Sequence, residues 1–438
     1  MEVQRLGGAE PSPAGTSMAE PFAYSGGCLV CEGCDAPGLA RVVGTPCYVY
    51  SRRAIEESYR ALAEAFAPAR PLVCYSVKAN ANLAILKLLR DLGAGFDIVS
   101  GGELRRALAA GAEPARIVFA GVGKTRDEIR QALEAGILMF NAESEPELAA
   151  INAVAAELGT QARVALRLNP DIDPSTHRHI TTGKRGTKFG IDLETARELA
   201  AGMARWPAVR LVGYHAHIGS QVTDPRPHAA SLAKLIAFAS ECGPANGAIE
   251  YVNIGGGFGI SYVPGQAPPP SAFAELLLPL LAGAARPLRL IIEPGRAIVG
   301  NAGVLLTRVL YVKRTRDGRR FVICDAAMND LIRPALYEAH HRIWPVASDR
   351  PFESDGLAPA DVVGPVCESG DFFAKDRPLP EVAEGDLLAI FGAGAYGFTM
   401  SSNYNARPRA CEVLVEGDRF RVVRQRESYE DMVRLESL

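Results

Sequence analysis

A lysine follows an apolar run in the segment Tyr75-Ser76-Val77-Lys78-Ala79-Asn80. If the run is a strand of a βα barrel, Lys78 lies at the carboxyl end of that strand, where side chains face the barrel mouth. Burial at that position favours the neutral amine, which can attack a carbonyl carbon and form a Schiff base. The alternative is a lysine whose ammonium group reaches solvent at the rim. Lys78 is therefore a candidate nucleophile.

Histidines and glycines follow two later apolar runs. His215 and His217 share one face of a strand if the strand alternation holds. Such a pair could bind a metal, but a third ligand at strand spacing is missing, so stacking on a planar cofactor or a role in the core is favoured. Three consecutive glycines, Gly255–Gly257, expose backbone N–H groups and permit the close approach of an anion.

The last apolar run ends in the segment Glu293-Pro294-Gly295-Arg296. The loops after strands seven and eight form the usual phosphate site of a βα barrel, so the glycine loop and the Gly295-Arg296 turn predict a phosphate ligand. A carboxylate such as Glu293 can keep a pyridine nitrogen protonated. A lysine, a stacking histidine, a phosphate site and this carboxylate are what pyridoxal phosphate requires. The protonated ring favours reactions through a carbanion, such as decarboxylation.

A repeating unit between residues 50 and 300 must position these groups. Short apolar runs alternate with amphipathic stretches, which predicts parallel strands joined by helices. An additional helix over Ala54–Phe66 precedes the first strand and would complete the ring. The predicted strands match the size and count of a (β/α)8 barrel, and they are Leu72–Val77, Phe96–Val99, Ile117–Ala120, Ile137–Phe140, Val164–Leu168, Leu211–Ala216, Tyr251–Ile254 and Leu288–Ile292.

The pattern changes after Ile298, where β-rich runs with tight turns replace the helix alternation. The strand-like run Tyr48–Tyr50 is a candidate member of the same β domain. The sequence therefore predicts an α/β plus all-β protein, in which a barrel for pyridoxal phosphate spans residues 51–298. Residues 18–50 and 299–438 form a second domain of the β-sandwich or β-barrel type, and residues 1–17 form a disordered leader.

Composition and charge exclude several classes of function. Among 438 residues, 48% are hydrophobic and 22% are charged, which is typical of a globular protein. The net charge of −3 provides no basic surface for nucleic acid or membrane. The leader lacks the features of a secretory signal, and the odd count of nine cysteines indicates reduced thiols and a cytoplasmic location. Cys28, Cys31 and Cys34 lack a clear fourth metal ligand, so we expect a turn and no metal.

The motifs together resemble those of the fold-type III, alanine-racemase-like pyridoxal-phosphate decarboxylases, and within that family the group of diaminopimelate decarboxylases. The resemblance runs in order from about Phe22 to the C-terminus. Its segments are Tyr75–Asn80, Phe96–Leu104, His217–Gln221, Gly255–Gly257 and Glu293–Arg296, followed by Arg333–Tyr337, Cys367–Asp371 and Gly394–Tyr396 in the second domain. The resemblance implies the decarboxylation of meso-2,6-diaminopimelate to L-lysine and carbon dioxide.

The resemblance also implies a role for each matching barrel residue. Lys78 binds pyridoxal 5'-phosphate covalently, His217 stacks on its ring and Glu293 contacts its pyridine nitrogen. The other cofactor-binding residues are Ser220, Gly256, Gly257, Pro294, Gly295, Arg296 and Tyr396.

For the substrate, the resemblance implies that Arg333, Tyr337 and Arg296 bind the distal carboxylate, with Tyr396 nearby. Cys367 donates a proton to Cα, and Glu368 binds the distal ammonium group. In this family the Cys-Glu pair enters the site of the other subunit, which implies a head-to-tail homodimer. A lid over Asp173–Phe189, after the fifth strand, is a further expectation.

Three alternatives differ from this interpretation in chemistry. A related decarboxylase could act on ornithine, carboxynorspermidine or an amino acid of secondary metabolism. An alanine racemase usually places an arginine at the pyridine nitrogen, and Glu293 disfavours it. A carrier of pyridoxal phosphate without enzymatic activity is a single barrel, whereas about 140 residues follow the barrel predicted here.

Overall fold

The computed structural model describes residues 4–5, 21–172, 188–243, 248–350, 352 and 354–438. The strands in chain order are β1 Gln4–Arg5, β2 Phe22–Ser25, β3 Cys28–Cys31, β4 Cys34–Asp35, β5 Cys47–Ser51, β6 Leu72–Ser76, β7 Gly95–Ile98, β8 Ile117–Phe119, β9 Met139–Ala142, β10 Ala162–Arg167, β11 Val209–His215, β12 Tyr251–Asn253, β13 Arg289–Ile292, β14 Gly303–Arg314, β15 Arg320–Cys324, β16 Ile343–Pro345, β17 Ala358–Val363, β18 Phe372–Leu379, β19 Leu387–Ile390, β20 Cys411–Glu416 and β21 Arg419–Arg424. The α-helices are α1 Ala36–Val43, α2 Arg52–Ala65, α3 Leu83–Asp91, α4 Gly101–Ala109, α5 Arg126–Ala135, α6 Glu145–Glu157, α7 Leu193–Ala201, α8 Arg226–Glu241, α9 Pro270–Ala282, α10 Arg296–Val299, α11 Arg333–Tyr337 and α12 Tyr429–Val433.

Strands β6 to β13 close a parallel barrel, which confirms the predicted (β/α)8 fold. Closure is made by β13 and β6, where Ile291 pairs with Leu72 and Ile292 pairs with Val73. All eight predicted strands are present, with bounds that differ by at most two residues. The expected helix before the first strand is α2, and it begins directly after β5. The barrel strands are almost entirely buried, as parallel strands covered on both faces must be.

Helices begin after the strands at residues that favour helix starts. The side chains of Ser100, Thr125, Ser144 and Asp192 each accept a hydrogen bond from a backbone N–H in the first turn of α4, α5, α6 and α7. The amphipathic pattern does not predict α9, because apolar residues cover most of its circumference. These caps set where each βα loop ends, and the loops carry the side chains at the barrel mouth.

The chain divides into two compact units, and the barrel lies in the unit made of Ser58–Ser261 and Gly265–Ala297. The other unit contains Met1–Glu57, Tyr262–Pro264 and Ile298–Leu438.

The second unit is built on a ten-stranded sheet, as the β-rich runs predict. Its main path runs β1-β21-β20-β5-β14-β15-β17-β18, and β19 pairs with β14 and β16. Strand β5 contains the run Tyr48–Tyr50 and lies between antiparallel β14 and parallel β20. The core on one side of this sheet includes Val49, Val304, Leu306 and Val413. The sequence pattern did not indicate β16, β17 and β18, because these strands are short or contain proline.

The N-terminal cysteine run forms a hairpin. Cys31 in β3 pairs with Cys34 in β4 across the turn Glu32-Gly33, and both cysteines are buried. Within the described residues, no group of three His, Cys, Asp or Glu side chains could hold a metal ion.

Only Gln4 and Arg5 of the expected disordered leader belong to the described residues. They pair with Phe420 and Arg419 as an edge strand, so disorder is the wrong expectation for these two residues. Backbone pairing at a sheet edge does not need the apolar side chains that the leader lacks.

Most of the expected lid, residues 173–187, lies outside the described residues. No described helix is long and apolar enough to span a membrane.

Candidate active site

Lys78 lies directly after β6, in a short helical turn over Val77–Ala79. Its Nζ atom is 2.6 Å from Oδ2 of Asp97, a fully buried residue of β7, and 35% of the lysine side chain is exposed. Ser76 Oγ donates to the same carboxylate oxygen at 2.7 Å. Burial and the neighbouring Glu293 raise the pKa of Asp97, and the ion pair with Lys78 opposes that shift. The amine is thus held where the carboxyl ends of two adjacent strands meet.

Glu293 follows β13 and is 3% exposed. Its Oε1 atom accepts hydrogen bonds from Nδ2 of Asn141 at 3.1 Å and from Nδ2 of Asn253 at 2.6 Å. Its Oε2 atom lies 3.4 Å from Nε2 of His215. Burial alone would raise the pKa of Glu293, but His215, Lys78 and Asn253 together lower it well below its ordinary value. Groups at the ends of several other barrel strands therefore favour the ionised form of this buried carboxylate.

His217 follows β11 and contacts the glycine loop. Its Nδ1 atom accepts a hydrogen bond from the N–H of Gly256 at 3.1 Å. Burial, Arg167 and Lys78 lower the pKa of His217 well below its ordinary value, so the ring is neutral at physiological pH. His215 and His217 thus have different partners, Glu293 and Gly256.

The glycine loop after β12 needs glycine because other chain segments lie very close to it. A Cβ atom at Gly256 would lie 2.1 Å from the carbonyl oxygen of Glu293. Gly257 has a φ of +93°, and a Cβ atom there would lie 2.4 Å from the carbonyl oxygen of Gly219. Only glycine fits both positions without moving the backbone. The loop is therefore packed against the segments that follow β11 and β13.

The turn after β13 is tied to β6 and to the segment after β11. The carbonyl oxygen of Pro294 accepts a hydrogen bond from the N–H of Ser76 at 3.0 Å. Arg296 is 6% exposed, and its Nη2 atom donates to Oγ of Ser220 at 2.9 Å. A Cβ atom at Gly295 would lie 2.9 Å from that of Ser76. The barrel residues expected in the site, from Lys78 to Arg296, are thus brought together at one end of the barrel.

The other expected site residues belong to the β unit. Arg333 begins α11, is 5% exposed and directs Nη1 to Nε2 of His341 at 2.9 Å. Tyr337 ends the same helix and is partly buried. Tyr396 has a φ of +58°, which is uncommon for a bulky residue and marks a constrained backbone.

Cys367 and Glu368 occupy a turn between β17 and β18. Cys367 is exposed, and its N–H donates to Oδ1 of Asn405 at 2.8 Å. Oε1 of Glu368 accepts from the N–H of Gly370 at 3.2 Å. The carboxylate of Asp371 accepts from the N–H groups of Val366 and Met328, each at 2.7 Å. Asp371 therefore ties this turn to the segment that leads into α11. That these residues complete the site at the barrel mouth stays a prediction.

Several polar residues of the barrel mouth have no role in the prediction from sequence. Asp97, Asn141 and Asn253 each contact a residue that was expected in the site. Arg167 and Glu143 form a buried ion pair at 2.8 Å. These residues could have been noticed as polar residues near the ends of apolar runs. That pattern, however, does not indicate which strand ends lie next to each other in the fold.

Comparison with known proteins shows the family. Residues 52–300 match the model of the pyridoxal-dependent decarboxylases, specifically their pyridoxal binding domain. The chain belongs to this family of decarboxylases. It is therefore an enzyme that uses pyridoxal 5'-phosphate as its cofactor.

Individual relatives match this decarboxylase over nearly their full length. A diaminopimelate decarboxylase of Pseudomonas aeruginosa is 49% identical over 96% of this chain and 99% of its own. One from Aquifex aeolicus is 47% identical over 94% and 96%. The crystal structure of diaminopimelate decarboxylase from Helicobacter pylori complexed with L-lysine is 43% identical, with a TM-score of 0.85 over 91% and 98%.

The barrel mouth of this decarboxylase fits its cofactor. The glycine loop has no side chains that would keep a phosphate away from its backbone, and Gly257 is partly exposed. The carboxylate of Glu293 is held ionised, as contact with a protonated pyridine nitrogen requires. Lys78 provides an amine at the end of an adjacent strand.

We expect Lys78→Ala to lose both covalent cofactor binding and turnover. The amine of Lys78 is the nucleophile proposed for the cofactor, and alanine has none. The purified wild-type protein should be yellow, and the variant should lack the absorbance band at the edge of the visible range. Lys87→Ala removes an exposed lysine that pairs with Asp91, so it should keep colour and rate. A Lys78→Ala variant with normal band and turnover would refute the assignment.

We expect Glu293→Gln to keep the fold and most of the cofactor affinity, while kcat falls by a factor on the order of 10². Glutamine retains an Oε1 acceptor for Asn141 and Asn253, but it lacks the charge that stabilises a protonated pyridine nitrogen. Cofactor titration and steady-state kinetics measure the two effects. Glu134→Gln, at an exposed position of α5, is the control. An unchanged kcat would show that another group controls the ring nitrogen.

Proposed function

We propose that this enzyme decarboxylates meso-2,6-diaminopimelate to L-lysine and carbon dioxide, as a cytoplasmic enzyme of lysine biosynthesis. The observation that carries the proposal is the 49% identity, over nearly both full lengths, to a diaminopimelate decarboxylase. The helix that begins at Arg333 and the turn that contains Cys367 and Glu368 supply charged groups suited to the far end of this substrate. A lysine/ornithine decarboxylase of Vibrio vulnificus is only 22% identical, which supports the fold alone.

The barrel residues hold the cofactor in this proposal. Lys78 would bind it covalently, and His217 would stack on its ring. Its phosphate would be bound by residues of three barrel loops, with Tyr396 from the β unit, and these barrel residues are Ser220, Gly256, Gly257, Pro294, Gly295 and Arg296. When bound, the cofactor withdraws electrons from Cα of the substrate, so that carbon dioxide can leave.

Residues of this chain control the charge and the proton of that step. Glu293 would keep a positive charge on the pyridine nitrogen, because its buried carboxylate has a lowered pKa and favours a cationic neighbour. The bond between Cα and the carboxylate breaks, and its electron pair remains at Cα. Cys367 then transfers its thiol proton to Cα, and the resulting C–H bond completes the exchange of carboxylate for hydrogen.

The far end of the substrate carries a second carboxylate and a second ammonium group. Arg296 and Arg333, with Tyr337, bind the carboxylate, since a guanidinium matches its geometry. Tyr396 lies beside this end of the substrate. Glu368 binds the ammonium group. Each of the two charged groups would then have a partner of opposite charge, which offsets the free-energy cost of burying it.

The enzyme acts as a head-to-tail homodimer with two shared sites in this proposal. Cys367 is exposed in the single chain, although its proposed role requires it to be enclosed in a site. A partner subunit that receives the turn of Cys367 and Glu368 resolves this difference. A twofold axis would then generate two equivalent sites.

We expect the variants Lys78→Ala and Cys367→Ala to be nearly inactive alone and to recover activity when their subunits are exchanged. Each heterodimer has one site with both native residues, so statistical mixing restores at most about a quarter of the wild-type sites. Activity is measured after subunit exchange has been demonstrated. Mixing Lys78→Ala with itself after the same treatment is the control. Absence of recovery would place Cys367 in the site of its own chain or outside any site.

We expect the wild type to turn over meso-diaminopimelate and almost no lysine or ornithine. As substrates, the latter two lack the distal carboxylate and leave the arginines without a ligand, which disfavours them by factors up to about 10⁴. Arg333→Ala should raise KM for meso-diaminopimelate steeply and narrow this preference. Arg316→Ala, at an exposed turn, is the control. Carbon dioxide release measures all of these rates, and a preference for ornithine would refute the proposed substrate.

A further inference from the structure

Arg333 is supported by two aromatic residues of its own unit. Its Nη1 atom lies 2.9 Å from Nε2 of His341, which is fully buried. Its guanidinium carbon lies 5.3 Å from the ring centroid of Tyr262. The rings of Tyr262 and His341 meet edge to face, with centroids 5.4 Å apart. A buried guanidinium is therefore fixed from two directions, by a hydrogen bond and by a cation–π contact.

The hydrogen bonds of His341 define its protonation state. Its Nδ1 atom lies 2.8 Å from the carbonyl oxygen of Phe391, which can only accept. Its Nε2 atom faces the guanidinium of Arg333, which can only donate. The ring must therefore carry one proton, on Nδ1, and must be neutral. Its contact with Arg333 orients the guanidinium without cancelling the positive charge.

Regular backbone pairing holds the support in place. His341 lies two residues before the start of β16, and Phe391 directly follows the last residue of β19. Ile343 pairs with Ile390 across these antiparallel strands, and the N–H of Phe391 donates to the carbonyl of Arg342 at 2.8 Å. The carbonyl of Phe391 is consequently fixed in front of Nδ1, and this carbonyl determines which ring nitrogen accepts from Arg333.

We propose that His341 is a positioning residue that holds Arg333 for the distal carboxylate of the substrate. This inference rests on the proposed function, in which Arg333 binds that carboxylate. A carboxylate in the place of His341 would neutralise the guanidinium before the substrate arrives. A neutral imidazole with a fixed tautomer orients the guanidinium and adds no negative charge of its own beside it.

Asparagine and glutamine at position 341 separate the two hydrogen bonds of the imidazole. Glutamine places its amide oxygen near the position of Nε2, where it can accept from Arg333. Asparagine places its polar atoms near Nδ1, where they reach the carbonyl of Phe391 but fall short of Arg333. Both are neutral amides of similar polarity, so each serves as the control for the other. His340→Gln, at the exposed neighbouring position, controls for a histidine lost at the surface.

We expect His341→Asn to raise KM for meso-diaminopimelate by about 10- to 100-fold, as for the loss of a hydrogen bond to a charged group. Its kcat should change far less, because the contact is made to the far end of the substrate. His341→Gln and His340→Gln should keep KM near the wild-type value. Thermal unfolding of each variant checks that the β unit remains folded.

Inhibition by two amines gives a readout that general damage to the site would not reproduce. L-Lysine, the product, retains the distal carboxylate, whereas 1,5-diaminopentane has no carboxylate. In His341→Asn, the inhibition constant of L-lysine should rise by the same factor as KM, and that of 1,5-diaminopentane should stay unchanged. Equal weakening of both inhibitors would assign His341 a structural role only and would overturn the inference.

Arg333→Ala separates this inference from the function on which it rests. If Arg333→Ala raises KM and weakens L-lysine while His341→Asn does neither, the role of His341 is overturned and the proposed function stands. If neither variant affects the carboxylate ligands, the assignment of Arg333 is wrong, and the role of His341 is lost with it. Loss of carboxylate binding in both variants, with rescue by His341→Gln, supports the inference.

Discussion

The arrangement of the barrel mouth depends on one buried charge, the carboxylate of Glu293. An ionised group with 3% exposure costs several kcal/mol to desolvate unless polar neighbours replace the lost water. Here those neighbours come from three other strands, through Asn141, His215 and Asn253. The strands can meet around one carboxylate only because the sheet closes into a barrel. Closure of the barrel and ionisation of Glu293 therefore depend on each other.

The same crowding explains the glycines at this end of the barrel. With Glu293 fixed, its backbone carbonyl lies where a side chain at Gly256 would have to be. In the same way, the carbonyl oxygen of Gly219 leaves no space for a side chain at Gly257. Close packing therefore requires glycine at these two positions, whatever the loop binds.

The buried charge of Arg333 in the β unit has partners of a different kind from those of Glu293. Glu293 in the barrel is surrounded by donors that stabilise a negative charge, whereas Arg333 is held by a neutral histidine and an aromatic ring. Such a partner orients the guanidinium without placing a negative charge beside it. In the proposed function, Glu293 would stabilise a positive charge on the cofactor, and Arg333 would bind the carboxylate at the far end of the substrate. Asp371 links the segments that carry Arg333 and Cys367, so these residues are positioned by one local framework.

Much of this protein follows from the sequence alone. Apolar runs of strand length, separated by amphipathic stretches, predicted all eight barrel strands, because burial on both faces leaves a strong pattern. Lys78, His217, Glu293 and the glycines were found because they follow those runs directly. The residues that contact them in the structure were not predicted. Asp97 beside Lys78, Asn141 beside Glu293 and His341 beside Arg333 are set by which strand ends become neighbours and by the register between β16 and β19. Asn141 and Glu293 are 152 residues apart in the sequence, and nothing in the sequence around either residue indicates that their side chains are in contact. Only the closed barrel and the paired strands set those distances, and those distances determine which polar groups stabilise each buried charge.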